Sequence, residues 1–169
     1  MTRERWTRAF LWLGVVSFAI ALGGKLFDLL ILAQAWGRMP PESLKFLPYG
    51  PDWPLNPGDF FQPVSVPALL AVLGALIVGW KTPWRYRRWL LVPPVTFLII
   101  WIATPTVFWP ILRELYRASH GTLVRTDAQL AATVRRWMIA DSLRTIMIAL
   151  GFVAAVKSIS MPYPSQPPP

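Results

Sequence analysis

The chain has 169 residues, of which 54% are hydrophobic and ten are tryptophan, with a mean hydropathy of +0.44. That composition excludes an ordinary soluble domain, and the absence of cysteine excludes disulfides, thiolate catalysis, iron–sulfur clusters and zinc–thiolate sites. The formal charge of +9 does not point to nucleic acid, because basic residues such as Lys81, Arg85, Arg87 and Arg88 gather at the ends of apolar stretches, where they act as topology signals.

Four apolar stretches organise the chain, at residues 10–33, 60–80, 89–109 and 137–159. Each reaches the length of about 20 residues at which a helix, satisfying its own backbone polar groups, crosses a bilayer. The expected fold is therefore all-α. It is an integral membrane four-helix bundle, one domain over residues 1–160, with a Pro-rich tail over residues 161–169 that is expected to be disordered. Arg3, Arg5 and Arg8 before the first apolar run resemble the start of a secretory signal, but the run continues past Gly23 and Gly24 to Leu32. It is read as a retained first span.

Between the first two spans, residues 37–59 hold Pro40, Pro41, Pro48, Pro51, Pro54 and Pro57 interleaved with Phe46, Tyr49 and Trp53. Prolines restrict the open chain and aromatics supply area to bury, so this loop is predicted to be ordered, a lid on one end of the bundle or a stiff connector. The loop over residues 81–88 carries four positive residues and no acid, which places it, and with it both termini, on the cytoplasmic side of a bacterial-type inner membrane. The Pro-rich loop is then outer. Trp6, Trp80, Trp84 and Trp89 form an expected inner aromatic belt, and Trp36, Trp53, Trp109 and Trp137 an outer one.

In the third span, Pro93, Pro94 and Pro105 predict a kink and carbonyls freed toward the interior. Beyond it, Leu112, Leu115 and Tyr116 at helical spacing predict a helix over residues 111–120 closed by Gly121. Thr126 or Asp127 is placed to cap the next helix, which runs without interruption into span four. Spans three and four thus form a helical hairpin extending beyond the bilayer. His120, the only histidine, reads as a favourable charge at a helix C-terminus. No metal-ligand spacing, phosphate loop or nucleophile motif occurs, so no metal or cofactor is expected.

Four ionisable residues fall inside spans: Lys25 and Asp28 in the first, Asp141 and Arg144 in the last. Such groups are costly in lipid and carry functional weight. Each pair is spaced i, i+3 on one helix face. Counting about 1.5 Å per residue from the outer boundary, Asp28 and Asp141 arrive at one depth, Lys25 and Arg144 slightly deeper. Small residues continue both faces, with Gly14, Ser17 and Ala21 in the first span and Gly151, Ala155 and Ser158 in the last, which favours close approach. A third such stripe runs through Ala68, Ala71, Ala75 and Gly79. The four charges either build a functional site, with Asp141, Arg144, Lys25 and Asp28 as catalytic candidates, or neutralise one another and fix helix register.

The run Arg135-Arg136-Trp137-Met138-Ile139-Ala140-Asp141-Ser142-Leu143-Arg144-Thr145 resembles the start of the last helix in the anthrone-oxygenase-like family of small four-helix membrane proteins. That helix opens with a tryptophan followed by an Asn-His-x-Arg-Thr type sequence. Arg144 and Thr145 match its last two positions, while Asp141 and Ser142 stand where the family has asparagine and histidine. The resemblance implies the four-span architecture. For activity it implies oxygenation of polycyclic phenolic compounds without an evident metal or flavin.

Two functions follow as expectations. One is a non-catalytic accessory subunit of a larger membrane assembly, its partners the lipid bilayer and other membrane subunits. The other is a small membrane oxygenase or oxidoreductase taking an apolar aromatic molecule, with Asp141 as base and Arg144 or Lys25 stabilising a phenolate.

Overall fold

The computed structural model describes residues 2–50, 53 and 55–164. All the regular structure in them is helical: α1 (Arg3–Phe27), a π-helical turn (Asp28–Leu32), α2 (Ala33–Gly37), a 3-10 turn (Glu42–Phe46), α3 (Pro57–Val78), α4 (Trp84–Ala103), a second π-helical turn (Thr104–Phe108), α5 (Trp109–Ser119) and α6 (Asp127–Ser160). Joined end to end, these make four helices long and apolar enough to cross a membrane, Arg3–Gly37, Pro57–Val78, Trp84–Ser119 and Asp127–Ser160. The third and fourth have 36 and 34 residues, well beyond the length of about 20 that a bilayer requires.

Their ends follow from local chemistry. Asn56 Oδ1 accepts from Gly58 N at 2.8 Å and Asp59 Oδ2 from Asn56 N at 2.7 Å, a reciprocal cap before Pro57. A capping box opens α6, with Gln129 N donating to Thr126 Oγ1 at 3.3 Å and Thr126 N to Gln129 Oε1 at 3.0 Å. The third spanning helix closes at His120, whose ring stacks on Tyr116 with centroids 4.2 Å apart, and Gly121 follows in the left-handed region at φ +67°. Pro93 and Pro94 lie within the continuous α4, and the backbone irregularity of this helix falls at the π turn containing Pro105.

Packing divides the chain into two compact units. The first comprises Met1–Leu22, Gln62–Ile99 and Met147–Pro169, and the second Gly23–Phe61 and Ile100–Ile146. In the first unit, small residues let helices meet closely. Gly14, Ser17, Ala68, Ala71, Ala75, Gly79, Gly151, Ala155 and Ser158 are all buried, as their stripes predict. At Gly151 the helices meet tightly: a Cβ there would fall 2.5 Å from Phe18 Cε1 and 2.8 Å from Thr96 Oγ1, so those side chains would have to shift. The Tyr86 hydroxyl donates to the Ser158 carbonyl at 3.0 Å, and Tyr163 packs against the Tyr86 ring. The chain after Ser160 thus stays on this unit through Tyr163, while residues 165–169 of the expected tail lie outside the described residues.

The second unit has its own core of Ala33, Trp36, Leu44, Leu47, Phe108, Leu115, Leu130, Val134 and Trp137. The Pro-rich loop enters that core through Leu44 and Leu47 and is fastened by Ser43, whose hydroxyl donates to the Trp36 carbonyl at 2.7 Å. Pro51 and Pro54 of the loop fall outside the described residues. Trp36 and Trp137, expected in an outer belt, are instead fully buried and meet edge to face with centroids 4.8 Å apart. The expectation fails because a tryptophan at a span end reads as interfacial by default, whereas these two fill the space under the folded loop. Trp6, Trp53, Trp80, Trp84 and Trp109 are exposed, as belt residues should be.

Candidate functional site

All four intramembrane charges converge within the second unit. Lys25 Nζ donates to Asp28 Oδ2 at 2.6 Å on its own helix and reaches Asp141 Oδ1 at 2.8 Å on α6. Arg144 Nε donates to the same Asp141 Oδ1 at 2.9 Å, and its Nη2 adds a second contact to that oxygen. Asp141 is wholly inaccessible, Lys25 and Asp28 are 2% exposed, and Arg144 is partly buried. Two cations and two carboxylates sum to zero, and this neutrality is what offsets most of the cost of removing each from water.

Aromatic faces surround the cations. Lys25 Nζ stands 5.4 Å from the Phe61 ring centre and 5.7 Å from that of Trp137, while the Arg144 guanidinium lies 3.8 Å from the Phe108 ring centre. The Pro-rich loop contributes Tyr49, whose hydroxyl donates to Asp28 at 3.1 Å. Burial, and then the negative charge of Asp28, push the Tyr49 phenol well above the ordinary tyrosine range. It therefore stays protonated and acts as a donor.

The two π turns position the cluster. In a regular helix of about 100° per residue, Asp28 would stand about 60° to one side of Lys25, and Ala33 and Trp36 about 80° and 20° to the other. A π turn accommodates about one extra residue and swings everything beyond it back by about 100°. The turn Asp28–Leu32 thereby brings Lys25, Asp28, Ala33 and Trp36, all buried, onto one face. The turn Thr104–Phe108 delivers the Phe108 ring to Arg144. Each π turn so contributes one residue to the site.

Lys25, Asp28, Asp141 and Arg144, singled out by spacing and depth, are thus joined in one network. Tyr49, Phe61 and Phe108 are members that spacing did not single out. The only signal for Tyr49 was an aromatic residue among prolines in a loop too rich in buried-type side chains to be a plain connector. Ser142, where the resembling family has histidine, turns away from the network and donates to the Met138 carbonyl at 2.8 Å. Among the described residues, three buried side-chain polar atoms have no hydrogen-bond partner: Asp141 Oδ2, Trp36 Nε1 and Trp137 Nε1. Chemically the site offers one free carboxylate oxygen beside two fixed cations, and two indole donors on adjoining rings.

Comparison with known proteins finds no matching family model, no matching curated protein and no matching solved structure.

Proposed function

We propose that the protein is a non-catalytic component of a larger assembly in a bacterial-type inner membrane, with both termini on the cytoplasmic side. One observation carries this reading: the charges buried in the spans are spent on one another. Lys25 is shared by Asp28 and Asp141, Arg144 is held by Asp141, and Tyr49 ties the loop to Asp28. A closed, neutral network of this kind fixes helix register and loop position. The partners are other membrane subunits and the surrounding lipid. Purification in mild detergent tests the proposal, with a stoichiometric subunit expected to co-migrate through two chromatographic steps and to cross-link to this chain in intact membranes. A lone chain carrying a bound aromatic molecule would overturn it.

A second reading is favoured by the unpartnered Asp141 Oδ2 next to the Arg144 and Lys25 cations. Here the protein is a small oxygenase or oxidoreductase of the anthrone-oxygenase-like kind. Asp141 takes the phenolic or α-carbon proton of an apolar aromatic substrate, and the cations stabilise the anion formed. Oxygen uptake with a phenolic anthrone tests it. Activity lost in Asp141→Asn, with folding retained, supports this reading, and no turnover by the wild-type protein sinks it.

A further inference from the structure

Beside the network, on the surface of the second unit, α2 and the π turn before it run antiparallel to α6 and leave a groove of about 530 Å³. This volume lies within the range of about 300–1,000 Å³ typical of small-ligand sites. Its lining is graded. Leu29, Leu30 and Met138 form the apolar part, whereas Gln34, Arg38 and Arg135 lie toward the helix ends. Leu30, Arg38 and Arg135 are exposed. Among the described residues no acidic side chain lines the groove, and neither Arg38 nor Arg135 forms an ion pair or a side-chain hydrogen bond.

On a spanning helix this gradient has a direct meaning. Leu30 and Arg38 are eight residues apart, about 12 Å along the axis, so an apolar floor leads to a cationic mouth over the depth that separates acyl chain from phosphate. Two guanidiniums at one mouth repel each other until an anion lies between them, and arginine suits phosphate because its fork donates two hydrogen bonds in one plane. Basic pockets between spanning helices hold anionic headgroups on cytoplasmic and matrix faces, and the same guanidinium–phosphate chemistry operates at either face of a bilayer. We propose that this groove holds one anionic phospholipid, its phosphate on Arg38 and Arg135 and one acyl chain along Leu29, Leu30 and Met138. The proposal needs only that these helices lie in a bilayer, and stands apart from both functional readings.

Native mass spectrometry of the delipidated protein in mild detergent, titrated with phosphatidylglycerol and with phosphatidylcholine of the same chains, provides the test. The first phosphatidylglycerol is expected to bind at least tenfold more tightly than phosphatidylcholine. Arg38→Gln with Arg135→Gln should abolish that preference, and Leu30→Trp, which fills the groove without changing charge, should weaken binding of phosphatidylglycerol. Arg85→Gln with Arg88→Gln, an equal loss of charge in the other unit, should leave it intact. Equal binding of the two lipids, an equal effect of the Arg85 and Arg88 changes, or inorganic phosphate binding as tightly as phosphatidylglycerol would each overturn the proposal.

Discussion

Lys25 Nζ lies 2.8 Å from Asp141 Oδ1, so a residue of the first spanning helix and one of the last hold the same buried charge balance. Asp141 receives Arg144 on the same oxygen, which makes it the node of the network. Loss of Asp141 alone strands Arg144 and leaves Lys25 with Asp28, a net positive charge in the interior.

Asp141→Ala should therefore be more damaging than Asp141→Ala combined with Arg144→Ala, which leaves the neutral Lys25–Asp28 pair. Breaking a buried pair on one side costs about 3–5 kcal/mol, and removing both partners largely avoids that cost. Size-exclusion profiles and melting midpoints of the two variants are the measurement. A double variant less stable than the single one would contradict a network held by charge balance.

Tyr49→Phe should destabilise the protein by about 1.5–3 kcal/mol, the range for a hydrogen bond to a charged acceptor, and open the loop near Gly50 to protease. The pH dependence has a defined sign. The unfolded phenol ionises near pH 10, while burial and Asp28 hold the folded one higher. Its contribution is full below about pH 10 and is lost as pH rises through the folded value. Wild type should lose stability above about pH 10 more steeply than Tyr49→Phe, by melting at matched pH.

Gly50→Ala should cost about 1–3 kcal/mol. Gly50 has φ +143°, and a Cβ there would collide with the Tyr116 ring. Limited proteolysis and melting should both register loop displacement, and Gly121→Ala, where a Cβ meets open space at φ +67°, should be milder.

Because the chain has no cysteine, single-cysteine variants report topology cleanly. Both Glu42 and Lys81 are exposed. In intact cells Glu42→Cys should react with a membrane-impermeant maleimide and Lys81→Cys should not. The opposite pattern would invert the proposed orientation.

The spans and the four charges were legible because each depends on one helix at a time: apolar length, i, i+3 spacing, and depth counted from an end. What escaped depends on how the chain folds back or departs from regular geometry. The π turns carry no periodic signature, so the alignment of Ala33 and Trp36 with Asp28 is hidden in a count of 3.6 residues per turn. Tyr49 reaches Asp28 only because Leu44 and Leu47 draw the loop into the core. Trp36 and Trp137 have the composition of a belt and the position of a core. Arg38 and Arg135 read as two more surface cations until the antiparallel helices place them at one mouth.

The i, i+3 placement of opposite charges also bears on how the chain is made. Lys25 already has Asp28, and Asp141 already has Arg144, before either helix meets the other. The helix carrying Lys25 and Asp28 thus enters the bilayer as an electrically balanced rod, and does not wait for the helix of Asp141, synthesised more than a hundred residues later, to supply a counter-ion. Only when that helix arrives does Lys25 extend to Asp141. Independent insertion followed by lateral association is the general two-stage route for helical membrane proteins, and here Lys25, balanced by Asp28 for the first stage, makes the contact to Asp141 that completes the second.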